Sequence, residues 1–157
     1  MKLSQRKEQQ EIEDLKRSIT VEVTILEAKN IGITDTKGNE AVVYWRAKHD
    51  QFQTQPVEKM INPVWNETIT STFKIGDYIN FEIRHPHEKK KVKYGGIYKY
   101  RVQPMIVGQE RYEILEGDKH GYLYIKLKCI ESPIDDKRLD FDFEKPMTLL
   151  VTIKRVY

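Results

Sequence analysis

The chain has 157 residues, enough for one domain of ordinary size with a continuous core that needs no covalent staples. Its one cysteine, Cys129, excludes an internal disulfide and a multi-cysteine zinc cluster, and it favours a reducing compartment. A net charge of +3 with 32% of residues charged is only mildly basic, so attraction to phosphates has to come from local clustering.

The opening "MKLSQRKEQQ" lacks the apolar core of a signal peptide. No run approaches the roughly 18 to 20 apolar residues of a membrane span, and the expectation is a soluble cytoplasmic protein. Residues 4 to 17 are rich in Gln, Glu, Lys and Arg, with Ile12, Leu15 and Ile19 at coiled-coil-like spacing. That spacing predicts a short helical leader over residues 1–18, either a frayed helix or the end of a coiled coil. Three apolar positions are too few for a stable coiled coil by themselves.

From Thr20 the period changes to two. In "TVEVTIL", Val21, Val23 and Ile25 share one face, the pattern of a half-buried strand. "AVVYWRAK" places Ala41, Val43, Trp45 and Ala47 inward and Tyr44, Arg46 and Lys48 outward. "YINFEIR" does the same with Ile79, Phe81 and Ile83, and "GYLYIKLKC" with Leu123, Ile125, Leu127 and Cys129. Further strands are predicted near residues 52–58, 67–73, 94–102, 109–115 and 147–154, separated by "TKGN", "INP", "KIGD" and "EGDKHG". Short strands at this spacing imply an antiparallel sandwich or barrel. No internal repeat stands out. Residues 132–157 read as an acidic, Pro-bounded linker and one more strand, "MTLLVTIKRV", which either returns to the sheet or opens a second domain.

In "INPVWNET", Pro63 fixes its own φ and removes a donor, and Asn62 is pushed toward an extended or turn conformation. Trp65 follows that turn and needs a partner for its indole N–H, with Asn66 or Glu67 available to order the corner. The succession "VEVTILEAKNI", "DTKGN", "NPVWNET", "INFEIRH" and "YEILEGDKHGYLYIKL" resembles the C2 domain family over about residues 20–131. The resemblance implies an all-β fold: an eight-stranded antiparallel C2-like sandwich over residues 19–131, preceded by the short N-terminal helix, with the extra C-terminal strand either joining its sheet or opening a second domain. It makes Trp65 a structural anchor first and a ligand surface second.

Calcium-binding members of that family carry aspartates in two loops at one end, because a hard dication needs about six to eight oxygens. Here the first loop keeps Asp35, but the second expected aspartate falls at or near Ala41. The third loop reads "HPHEKKKVK": His85 and His87 occupy the ligand positions, and Lys89, Lys90, Lys91 and Lys93 add positive charge. The resemblance therefore implies a lost calcium site, and no metal or cofactor is expected. His85 and His87 have no third ligand nearby in sequence, so a solvated loop is the plainer reading.

Two surfaces then suit an anionic phospholipid membrane. The lysine-rich loop lies at the family's membrane-facing end, where each basic residue contributes on the order of 1 kcal/mol near an anionic surface. The family's basic groove is half present. Tyr44, Arg46 and Lys48 project together, while Gln53 and Gln55 stand where paired lysines are expected and Lys59 lies beyond. Phosphate loops, nucleophile elbows and catalytic constellations are missing, so no enzyme is expected. The acceptor sequence "NET" would go unused in a cytoplasmic chain, and strand alternation accounts for "KVKYGGIYKYR" without nucleic acid. The expected function is calcium-independent targeting of a larger intracellular protein to anionic phospholipid membranes, as a cytoplasmic peripheral membrane module. The alternative is a protein-interaction scaffold that works through a sheet face or exposed edge, with the leader joining a coiled coil.

Overall fold

The computed structural model describes residues 17–31, 40–58, 61–86 and 93–134. Its strands are β1 (Ser18–Lys29), β2 (Glu40–Ala47), β3 (Asp50–Gln53), β4 (Val57–Glu58), β5 (Val64–Lys74), β6 (Tyr78–Arg84), β7 (Lys93–Arg101), β8 (Glu110–Glu116) and β9 (Tyr122–Glu131). They form two antiparallel sheets, one ordered β5-β1-β9-β8 and the other β3-β2-β6-β7, with β4 also paired to β2. The first and last of these strands are thus neighbours in one sheet.

β3 and β4 are one edge strand with an interruption, and counting them together gives the eight strands expected. Tyr44 faces Gln53, whereas Ala41 faces Val57, so the register slips by one residue between them. Thr54 fills the gap: its hydroxyl accepts the Val43 N–H at 2.9 Å and its own N–H donates to the Val43 carbonyl at 3.0 Å. Pro56, just beyond, has no donor to extend the ladder. The predicted strand over residues 52–58 is therefore real but broken, while the one placed at 67–73 starts earlier, directly after Pro63.

The core follows the alternation. Val21, Val23 and Ile25 of β1 are buried, as are the inward residues named above on β2, β6 and β9. One deviation is instructive. The β1–β9 register shifts between Ile25 and Glu27, and beyond that bulge Ala28 is the residue that turns inward. Trp45 sits at the centre, fully buried, with Phe52 stacked at 5.7 Å between centroids and Phe81 tilted at 5.3 Å. Its indole N–H donates to Ser71 Oγ on the opposing sheet at 3.4 Å. Cys129 is buried and the pKa of its thiol is pushed up by that burial, which suits a small core residue better than a nucleophile. Residues 1–16 of the helical leader and the extra strand near residues 147–154 lie outside the described residues, whereas Ser18, read as the leader's last residue, and Ile19, read as its third apolar position, belong to β1, with Ile19 buried opposite Phe73.

Tyr98 on β7 is buried and donates its hydroxyl to the His120 carbonyl at 2.9 Å. Burial, with the Asp118 carboxylate adding to it, pushes the pKa of that hydroxyl from 10.0 up to about 12. Because the folded value lies above the ordinary one, its contribution to stability is complete below the ordinary value and is lost as pH rises through about 12. Unfolding measured across that alkaline range should show the loss in the wild type and a flatter profile in Tyr98→Phe.

Candidate functional site

The corner "INPVWNET" ties one end of the sandwich together. The Ala28 N–H donates to the Pro63 carbonyl at 2.9 Å, and Asn62 Oδ1 accepts the Asn30 N–H at 2.9 Å. On β5, Trp65 and Asn66 oppose the single residue Leu26, and Asn66 takes a left-handed φ of 49°. Trp65 is buried, and its indole N–H donates to the Ala41 carbonyl at 3.1 Å. Glu67 completes the corner by accepting the Gln55 N–H at 2.7 Å. The tryptophan is thus the structural anchor that the sequence implied. The turn after β8 closes on the same end: Gly121 has φ 77°, and a Cβ there would meet the Lys29 carbonyl oxygen at 2.3 Å.

The second sheet carries a basic outer face. On β2, Tyr44 and Arg46 point away from the core. Register places Tyr44 opposite Glu82 on β6, Asn80 opposite Lys99 on β7, and Tyr78 opposite Arg101. Arg84 continues the β6 row, and Gln51 and Gln53 of β3 stand opposite Arg46 and Tyr44. Tyr44, Arg46, Gln51, Tyr78, Asn80, Glu82 and Arg84 line an open recess of about 470 Å³. Its floor is organised: the Arg84 guanidinium lies over the Tyr44 ring at 3.8 Å and pairs with the Glu82 carboxylate. At the far end Arg101 lies over Tyr78 at 5.7 Å and donates to the Gly76 carbonyl at 3.1 Å.

Of the residues read from sequence, Tyr44 and Arg46 meet in this recess, and Lys48 is exposed in the β2–β3 turn with φ 54°. Gln53 faces Tyr44 as anticipated, whereas the Gln55 N–H is drawn away to Glu67. His85 is only 7% exposed, so its imidazole sits behind the surface that a ligand would touch. His87, Lys89, Lys90 and Lys91 lie outside the described residues, as do Asp35 and Lys59. Lys93 opens β7 at the register position opposite Arg84. Arg84, Lys99 and Arg101 were missed, although the parity of "YINFEIR" and "KYGGIYKYR" carries the signal. Among the described residues no group of three or more His, Cys, Asp and Glu side chains is placed to hold a metal ion, and no helix is long and apolar enough to cross a membrane.

Two packed antiparallel sheets with a basic recess on one face define a β-sandwich module with a candidate ligand-binding surface. The C2 domain family matches residues 19–114, and the chain belongs to that family. Human GIVD cytosolic phospholipase A2, in complex with methyl gamma-linolenyl fluorophosphonate, is similar in fold, with a TM-score of 0.60 and 16% identity. That match covers 74% of this chain but spans only 18% of the phospholipase. A single C2 domain of plant Extended Synaptotagmin 1 gives a TM-score of 0.57 at 21% identity over 75% of this chain and 97% of that one. A structure of Extended-Synaptotagmin 2 that joins an SMP domain to a pair of C2 domains gives 0.53 at 18% identity, over 73% of this chain and 27% of that one. No curated protein sequence matches the chain.

Proposed function

We propose that this C2 domain docks a larger intracellular protein on anionic phospholipid membranes without calcium, through the basic face of its second sheet and the adjoining lysine-rich loop. The reading is carried by one observation: Arg46, Arg84, Lys99 and Arg101 share a face with Tyr44 and Tyr78, against the carboxylate of Glu82 in the recess and those of Glu40 and Glu58 where β4 pairs with β2. Clustered cations beside a concave surface raise the local concentration of anionic partners, even where the net charge of the chain is small. The loop of Lys89, Lys90, Lys91 and Lys93 adjoins the Arg84 end of that face in sequence, so both sets serve one docking event. The module is non-enzymatic in this reading. Co-sedimentation with anionic and neutral vesicles at two salt concentrations tests it: binding should require anionic lipid and fall at the higher salt.

Calcium independence is supported by Ala41, which is buried in β2 at the position expected for a ligand, its carbonyl already engaged by Trp65. A ligand that binds only the folded state raises its melting temperature by mass action. Melts in millimolar calcium and in chelator should therefore superimpose. A rise of several degrees with calcium, abolished by Asp35→Ala, would remove this part of the proposal.

A second reading, docking of a protein partner, is favoured by the outer face of the first sheet. Tyr112 and Ile114 of β8 and Tyr122 of β9 are exposed there together.

A further inference from the structure

β8 is the outermost strand of the first sheet, bonded to β9 over Glu110–Glu116, and among the described residues β7 bridges to the chain just past its end, where Tyr98 pairs with Gly117. An outermost strand presents a row of backbone donors and acceptors to any extended segment. This one is also apolar on its outer side: Tyr112 and Ile114 are 67% and 65% exposed, beside Tyr122 of β9. The chain leaves the sandwich next to it. Beyond β9, Ser132 Oγ donates to the Met105 carbonyl and Ile134 packs on the core, while the Cys129 N–H donates at 3.0 Å to the carbonyl of Gln109, the residue that leads into β8. Residues 135–146 reach about 40 Å when extended, and Glu110 to Glu116 span about 20 Å, so the next segment can start from either end of β8. That segment, "MTLLVTIKRV", alternates as a strand does.

We propose that residues 149–155 of this chain dock on β8 as an added antiparallel strand, with Val151 opposite Ile114. On the outer face that register sets Ile153 opposite Tyr112 and Arg155 opposite Glu110, two apolar pairs and a pair of opposite charges. On the inner face it sets Leu150, the residue that breaks the alternation of the segment, opposite Leu115, the one buried residue of β8. Thr152 falls opposite Glu113. Lys154 falls opposite Arg111, and Glu113, which holds the Arg111 guanidinium at 3.1 Å, balances the two cations. A slip of one residue would set Ile153 against Arg111 or Glu113 instead, so the register is specified. The docked segment covers Tyr112 and Ile114, and a protein partner that uses this face has to displace it. None of this depends on lipid.

The test uses the full chain with paired cysteines under mild oxidation, since Cys129 is buried and does not compete. Ile114→Cys with Val151→Cys should close a disulfide within one chain about tenfold faster than Thr70→Cys with Val151→Cys, which asks the same segment to reach β5 at the opposite edge of the sheet. Adding Arg155→Glu should slow that closure, and Glu110→Lys on top of it should restore the rate. Without cysteines, Val151→Lys should speed amide hydrogen exchange on β8 while leaving β1, in the interior of the sheet, unchanged. Equal closure rates for the two pairs place the segment elsewhere, in a domain of its own, and overturn the proposal. A disulfide whose rate rises with protein concentration also overturns it, by assigning the edge to a second copy. So does exchange on β8 that Val151→Lys leaves untouched.

Discussion

Trp45→Ala should destabilise the sandwich by about 3–5 kcal/mol, the range for removing a large aromatic from a packed core. The indole is fully buried, packs on Phe52 and Phe81, and bridges the sheets by donating to Ser71 Oγ. Truncation leaves a cavity lined by side chains that backbone ladders on both sheets hold in place, so collapse into the space is limited. It also strips the buried Ser71 hydroxyl of this donor. Domains of this size are stable by only about 5–15 kcal/mol, so the loss is a large fraction of the whole. Urea unfolding should show the midpoint moving sharply down with little change in slope. A shift of under about 1 kcal/mol would mean that the core repacks around the missing ring and that the two sheets are held mainly by other contacts. Trp45→Phe keeps much of the apolar area and loses the donor, which separates the packing contribution from that of the hydrogen bond.

Much of this architecture was legible because each strand has one wet and one dry face. Parity alone assigned Val21, Val23, Ile25, Trp45, Phe81 and Leu123 to the core, and it assigned Tyr44 and Arg46 to the outside. Two things escaped it. The one-residue slips at Thr54 and beside Leu26 are local events that alternation does not encode, and a bulge changes which residue turns inward without leaving a gap in the pattern. The site was harder still. Arg84, Lys99 and Arg101 are distant from Arg46 in sequence and meet it only because β6 lies between β2 and β7. His85 shows the converse: its neighbours in "RHPHEKKK" suggest a polar loop, yet it directly follows β6 and is buried. Sequence proximity overstated its exposure and understated the coherence of the basic face.

Replacing charges in two separate sets should show which part of that surface carries membrane docking. Lys89, Lys90, Lys91 and Lys93 changed together to glutamine remove four charges from the loop and the start of β7, while Arg46, Lys48 and Lys99 changed to glutamine remove three from the sheet face and its β2–β3 turn. At about 1 kcal/mol for each basic residue near an anionic surface, the sets amount to roughly 4 and 3 kcal/mol. With tenfold in affinity for every 1.4 kcal/mol, either change should lower binding to anionic vesicles by on the order of 100-fold or more at low salt. The losses should shrink as salt rises, since the Debye length falls from about 10 Å at 0.1 M to about 3 Å at 1 M. Arg84 and Arg101 are left alone because Arg84 pairs with Glu82 and Arg101 donates to the Gly76 carbonyl, so their replacement mixes binding with stability. The residues chosen on the sheet face are exposed, and each change should move stability by no more than about 0.5 kcal/mol. If both sets act, the loop and the face touch the bilayer together and a combined variant should bind no better than background. If only the loop set acts, the sandwich docks end-on and the recess is not at the membrane. If neither acts, electrostatic docking on lipid is ruled out, and the exposed Tyr112, Ile114 and Tyr122 of the opposite sheet become the surface on which a protein partner should be sought.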